Sequence, residues 1–181
     1  ERISAVSHNM GTFEDRSDDV RSSPEAEPTA VREYFTDRNF AENMGLTFVA
    51  GENFPENAVG GRESFLVVNE KFLEKFRLGS PSEAIGKQML IGDSTRLTLR
   101  GVVKDFLFRP ATYALEPLML RNDPEQLQIL NVKIAAGDPT ATLAALQRAW
   151  SQTVPGRPME SAFYAQTIRE SYSSLSDGLA I

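Results

Sequence analysis

The chain has 181 residues, enough for one ordinary domain or a domain with an insert, and its 41% hydrophobic against 24% charged residues supports a packed core rather than wholesale disorder. A formal charge of −6 disfavours nucleic acid or anionic lipid as a partner, because both are gripped through phosphates by basic surfaces. With no cysteine, thiol catalysis, zinc–thiolate sites and disulfides are excluded.

In chain order, "ISAVSHNM" (3–10) reads as a short strand. Residues 14–29, "EDRSDDVRSSPEAEPT", are polar, acidic and proline-broken, and are expected to be a loop. "AVREYFT" (30–36) alternates as a strand. Asp37 can cap a short helix, "RNFAENM", which Gly45 would end, and "LTFVAG" (46–51) is strand-like again. "FLVVNE" (65–70) reads as a strand with Asn69 as the N-cap of a helix carrying Phe72, Leu73 and Phe76 on one face. Residues 83–103 read as a turn, a strand, a turn at Gly92-Asp93 and a second strand, which is a hairpin. "LEPLMLR" (115–121) is one more strand.

The last third predicts a strand over 127–135 and a helix opened by Asp138 and Pro139. Leu143, Leu146, Trp150 and Val154 make its apolar stripe, "PGRP" (155–158) stops it, and 159–165 reads as a strand. The expected fold class is α+β. Two strand–helix–strand units, over 1–62 and 122–181, bracket an inserted β-rich lobe over 63–121. The chain starts at Glu1 without Met and is read as a segment of a longer protein.

Chemical motifs are few. His8 is the only histidine, so neither a histidine metal cluster nor a Ser-His-Asp machine can be assembled around others. No calcium loop, G-x-G-x-x-G or G-x-x-x-x-G-K-[ST] occurs. Asp105 and Glu116 are the acids set in apolar surroundings, and as a pair they are the candidate for a small hydrolase. Strict alternation puts Leu97, Leu99, Gly101 and Val103 on one strand face and would carry Asp105 onto it. Burying an unpaired carboxylate costs several kcal/mol, so Asp105 is expected to end the strand and fix the exit turn.

The ordered set "FLVVNEKFLEKFRLGSPSEAIGKQMLI", "RLTLRGVVKDFLF" and "ALEPLMLR" resembles the MacB-like periplasmic core domain of FtsX/MacB-type ABC transporter permeases. The residues that carry the resemblance are Asn69, Glu70, Gly86, Lys87, Gly101, Val103, Asp105, Phe106, Glu116 and Pro117. "YFTDRNFAENMGLTFVAGENF" upstream and "SAFYAQTIRESYSSL" downstream resemble the flanking parts of that family. The polar segment 14–29 has no equivalent in the pattern, and many relatives have a histidine near the place of Leu107.

The resemblance implies an extracytoplasmic domain of an inner-membrane permease, its fold a porter-like α+β lobe with an inserted β-rich lobe, with no catalysis, cofactor or metal of its own. Cytoplasmic ATP hydrolysis would be coupled through it to substrate export or lipoprotein release. Its partners would be the transmembrane helices of the same chain, a cytoplasmic ATP-binding subunit or domain, and a second permease copy or a periplasmic or outer-membrane protein. Ile168, Tyr172, Leu175 and Leu179 would then lie on a helix leading to a membrane span. The alternative reading is an extracytoplasmic ligand-sensing domain of a membrane receptor.

Overall fold

A computed structural model describes residues 2–56, 63–134 and 137–178. The strands are β1 (Arg2–Val6), β2 (Ser17–Arg21), β3 (Thr29–Phe35), β4 (Phe48–Gly51), β5 (Phe65–Asn69), β6 (Gln88–Ile91), β7 (Thr95–Val103), β8 (Leu118–Arg121) and β9 (Ile129–Lys133). The helices are α1 (Phe40–Met44), α2 (Glu70–Phe76), α3 (Pro81–Ala84), α4 (Pro139–Thr153) and α5 (Tyr164–Gly178). The chain divides into two compact units, Ile3–Asn131 and a second from Val132 onward that includes Arg2.

Seven strands of the first unit form one sheet, in the order β4-β7-β5-β8-β3-β2-β6, and β6 also pairs with β7. That extra pairing closes a ring. Thr98 of β7 is matched by Phe65 of β5 on one edge and by Gln88 of β6 on the other. The ring therefore runs β7–β5–β8–β3–β2–β6 and back to β7, with β4 continuing along the β6 edge at Gly101–Val103. A barrel this small has an interior just wide enough for side chains to fill. Val20, Val31, Leu66, Val68, Met89, Ile91, Leu97, Leu99, Val102 and Met119 fill it, joined by Phe72 and Leu73 of α2. The opposite sheet face carries Tyr34, Val67, Val103, Leu118 and Leu120, covered by Val6, Met10, Phe40, Phe54 and Phe108.

Local signals explain several elements. Asn69 has extended backbone and its side chain accepts the Phe72 N–H, so β5 passes directly into α2. Ser80 and Glu83 form a reciprocal capping box at α3, with Pro81 in its first turn. Gly45 ends α1 at φ 72°, a conformation that costs glycine nothing.

Three expectations are corrected. Residues 17–21 lie within the stretch read as a loop, yet they form β2. Val20 is fully buried there, and β3 and β6 supply hydrogen-bonding edges on both sides. Residues 159–163 are not a strand: they pair with no strand among the described residues, and Tyr164, within the predicted strand, already opens α5. The sheet also does not separate at 62/63 and 121/122: β2, β3 and β4 share it with β5, β6, β7 and β8. A barrel keeps free edges until every strand is paired, and β3 and β2 are what join β8 to β6, so segment 63–121 cannot close by itself.

In the second unit, Asp138 caps α4 by accepting the Thr140 N–H, as its Asp-Pro start predicts. Leu143, Leu146, Trp150 and Val154 are half-buried, and Trp150 Nε1 donates to the Arg157 carbonyl at 2.9 Å. Ile168 and Tyr172 lie on α5 and are half-buried; Leu179 is outside the described residues.

Candidate functional site

The start of α2 gathers motifs that are distant in sequence. Asn69, fully buried, accepts N–H bonds from Phe72 (3.1 Å) and Leu118 (2.8 Å) and donates from Nδ2 to the Glu116 carbonyl (2.9 Å). Asp105 Oδ1 accepts the Lys71 N–H at 3.1 Å, and Glu70 Oε2 accepts the Asp105 N–H at 3.0 Å. Both carboxylates thus sit at the positive end of a helix, where anions are favoured. Four signature residues, Asn69, Glu70, Asp105 and Glu116, meet here as a polar clasp between β5, β7 and β8, while the Pro117 carbonyl accepts the Arg32 N–H of β3. Asp105 ends its strand as expected, but its backbone partner is the first turn of α2 rather than its own exit turn.

Glu116 is the second hub. Its Oε2 accepts from Arg109 Nη1 (2.6 Å) and Arg32 Nε (3.2 Å). Partial burial pushes its pKa up, but the two guanidinium groups outweigh this and hold it below the usual carboxylate value. Asp15 pairs with the same two arginines. The segment 104–117 is therefore tied at one end by Asp105 and at the other by Glu116. Between them, the Phe108 carbonyl accepts from Tyr34 Oη (3.1 Å) and Gly11 N (2.8 Å). Phe108 is buried and meets Phe106 edge-to-face. The tied segment nevertheless presents Leu107, Tyr113 and Leu115 to solvent, Leu107 at 62% exposure.

The other signature residues brace the barrel. Gly86 (φ 85°) donates its N–H to the Leu99 carbonyl, and Lys87 Nζ donates to the Leu78 carbonyl at 2.6 Å, just beyond α2. Gly101 follows a bulge: Leu66 and Val67 of β5 match Leu99 and Gly101, leaving Arg100 as the extra residue. A Cβ at Gly101 would lie 2.4 Å from the Glu52 carbonyl oxygen and 2.7 Å from the Phe48 ring. The bulge also resets the faces, so that Val102 joins Leu97 and Leu99 inside while Val103 turns outward, unlike the strict alternation expected.

A family model, MacB-like periplasmic core domain, matches residues 1–150. The chain belongs to that family. Its fold is shared with solved structures at low identity. The periplasmic region of MacB from Actinobacillus actinomycetemcomitans superposes with a TM-score of 0.60 at 14% identity, covering 96% of this chain and 76% of that one. The extracellular domain of the noncanonic ABC-type transporter YknZ from Gram-positive bacteria gives 0.60 at 16%, covering 87% and 78%. A domain of a permease protein from Porphyromonas gingivalis gives 0.55 at 12%, covering 93% and 82%. No curated protein matches the chain.

As a MacB-like periplasmic core domain, the chain is the extracytoplasmic part of an ABC transporter permease, and its homologous domains are transporter regions rather than catalytic ones. The mixed α+β class agrees with this family's fold. No helix among the described residues is long and apolar enough to cross a membrane. Arg32, Arg109 and Asp15 were not singled out from sequence. A charge in a polar run gives no sign of its partner, and Asp15 lies in the segment for which the family pattern offered no match.

A stability test follows for Asp105. Asp105→Ala removes a helix-start acceptor and is expected to cost about 1 kcal/mol, whereas Asp105→Asn keeps an acceptor and should cost about half as much. Urea denaturation of both variants measures the difference. Equal losses would show that the Lys71 N–H bond is not what the side chain contributes.

Proposed function

We propose that this domain couples ATP hydrolysis in a separate cytoplasmic ATP-binding subunit or domain to export or release of a substrate outside the membrane. The family match over residues 1–150 carries the reading. The transmembrane helices of the same inner-membrane permease chain would pass the motion outward. The domain would move with them and dock a second permease copy or a periplasmic or outer-membrane partner. Its own chemistry is mechanical, with no cofactor or metal required.

Two local features support that role. A lever must not deform under load, because rigid-body motion is transmitted only through packed elements. The closed barrel and the clasp of Asn69, Glu70, Asp105 and Glu116 supply such stiffness, with Gly86, Lys87 and Gly101 bracing the neighbouring turns. Segment 104–117, held at both ends, would then offer Leu107, Tyr113 and Leu115 as a contact surface that moves as one piece.

The test uses the full permease reconstituted with its ATP-binding component. Amide exchange at 104–117 and at 69–72 is compared with and without a non-hydrolysable ATP analogue. Exchange should change at 104–117 while 69–72 stays protected. Leu107→Asp should leave the domain's stability within about 0.5 kcal/mol, as is usual for an exposed site, and still impair transport. Nucleotide that leaves exchange in the whole domain unchanged would overturn the coupling role.

A further inference from the structure

We propose that His8 is an acid-sensitive clasp between β1 and β3, and that its protonation loosens β1 from the barrel. The idea rests only on the unit Ile3–Asn131 and is independent of the transporter reading.

His8 is 8% exposed, and its ring stacks on Tyr34 with centroids 4.1 Å apart and planes at 18°. Its Nδ1 lies 2.8 Å from Ser7 Oγ. Ser7 is where the two strands are joined. Its N–H donates to the Phe35 carbonyl at 2.9 Å, and its Oγ accepts the Phe35 N–H at 3.1 Å. The Ser7 hydroxyl is itself buried and has one proton to place. The oxygen has a second lone pair beside the one that takes the Phe35 N–H, but its own proton finds its acceptor in Nδ1, which assigns Nδ1 as the bare nitrogen of a neutral ring. The ring proton then sits on Nε2, which is buried without a hydrogen-bond partner.

A second ring proton can go only to Nδ1. There it meets the hydroxyl proton of Ser7, so one of the two donors loses its acceptor. The new charge is also placed in a site that gives Nε2–H nothing to bond. Glu14 and Asp15 favour the cation and Arg16 opposes it, while Asp15 is already paired with Arg32 and Arg109. On β3 the facing titratable group is Tyr34, whose hydroxyl is bonded to the Phe108 carbonyl. Burial is the largest influence and holds the His8 pKa below its usual 6.5.

The sign of the pH effect follows. A histidine with a depressed folded-state pKa takes up its proton more readily once the strand has opened. The β1–β3 junction is therefore fully stable above pH 6.5, weakens as pH falls below it toward the folded value, and has lost the whole contribution below that value.

Amide exchange of Ser7 and Phe35 in this chain, corrected for the intrinsic pH dependence of exchange, is the test. Protection should fall by up to about tenfold per pH unit inside the window, and His8→Gln should abolish that dependence. The same slope in His8→Gln, or none in the wild type, overturns the proposal. Should His8→Gln fail to fold, the ring titration of wild-type His8 by NMR decides. A midpoint below 6.5 that moves together with the Ser7 and Phe35 amides supports the clasp; a midpoint at or above 6.5, or amides that stay still, overturns it.

Discussion

Asn69→Ala is expected to lower the unfolding free energy by about 3–5 kcal/mol, since each buried polar group left unpaired costs about 1–3 kcal/mol. The asparagine is fully buried and serves three backbone groups: the Phe72 and Leu118 N–H donors and the Glu116 carbonyl. Alanine can replace none of these bonds and also leaves a cavity. The loss is concentrated where β5, α2 and β8 meet, so the barrel should become easier to open at that end. Urea denaturation at constant m-value reads the effect. Asn69→Asp keeps the acceptor for Phe72 and Leu118 but sets a buried carboxylate oxygen against the Glu116 carbonyl, so its loss should be at least as large as that of alanine. An alanine variant losing under about 1 kcal/mol would mean that water takes over the three bonds.

Arg121→Met is the second large effect, again about 3–5 kcal/mol, the usual cost of breaking a buried ion pair from one side. Arg121 is 7% exposed at the end of β8, and by alternation it faces inward with Met119. Its guanidinium pairs with Glu33 at 2.8 Å, Asp18 at 3.2 Å and Glu63, and stacks over Phe35. Glu33 is 4% exposed and faces inward with Val31. Arg16 Nε approaches it at 3.5 Å as well. Together these charges close one mouth of the barrel, as α2 packs against the interior from the other. Methionine fills much of the volume but leaves Glu33 without its main partner. The double variant Arg121→Met with Glu33→Gln should therefore lose less than Arg121→Met alone, a coupling that a double-mutant cycle measures directly. Additive losses would show that the pair is not the source of the effect.

These sites differ in how much of them can be read from the chain. Asn69 as a helix cap is legible, because the cap and its first helical turn are four consecutive residues. That the same side chain also holds Leu118 and Glu116 is not legible, since those partners lie 49 and 47 residues away. Asp105 shows the same division. Its place at the end of β7 follows from the cost of burying a carboxylate, whereas its bond to the Lys71 N–H depends on where α2 is laid down. The alternation of β7 predicts a strand but not its faces beyond Leu99, because the bulge at Arg100 arises from pairing with β5.

The segment 14–29 marks the limit most clearly. Its composition argues for a loop, and for most of its length nothing apolar contradicts that. Yet β2 bridges β3 and β6 and completes the ring. Strand formation there is driven by two waiting edges and one buried valine, Val20, rather than by its own propensity. Asp15 from the same segment joins the Arg32, Arg109 and Glu116 network.

The sequence by itself determined the hairpin of β6 and β7, the capped starts of α2 and α4, the α+β class and, through ordered short motifs, the family. All of these depend on neighbours within a few residues or on motif order. Only the tertiary structure decided that the strands of 17–51 and 65–121 share one closed barrel, that a buried arginine stops one mouth of it, and that His8 is sealed against Tyr34. Closure is decided by which edges are left over once every strand has been placed, and burial by what covers a side chain from a distance. Neither quantity is a property of a local stretch of chain.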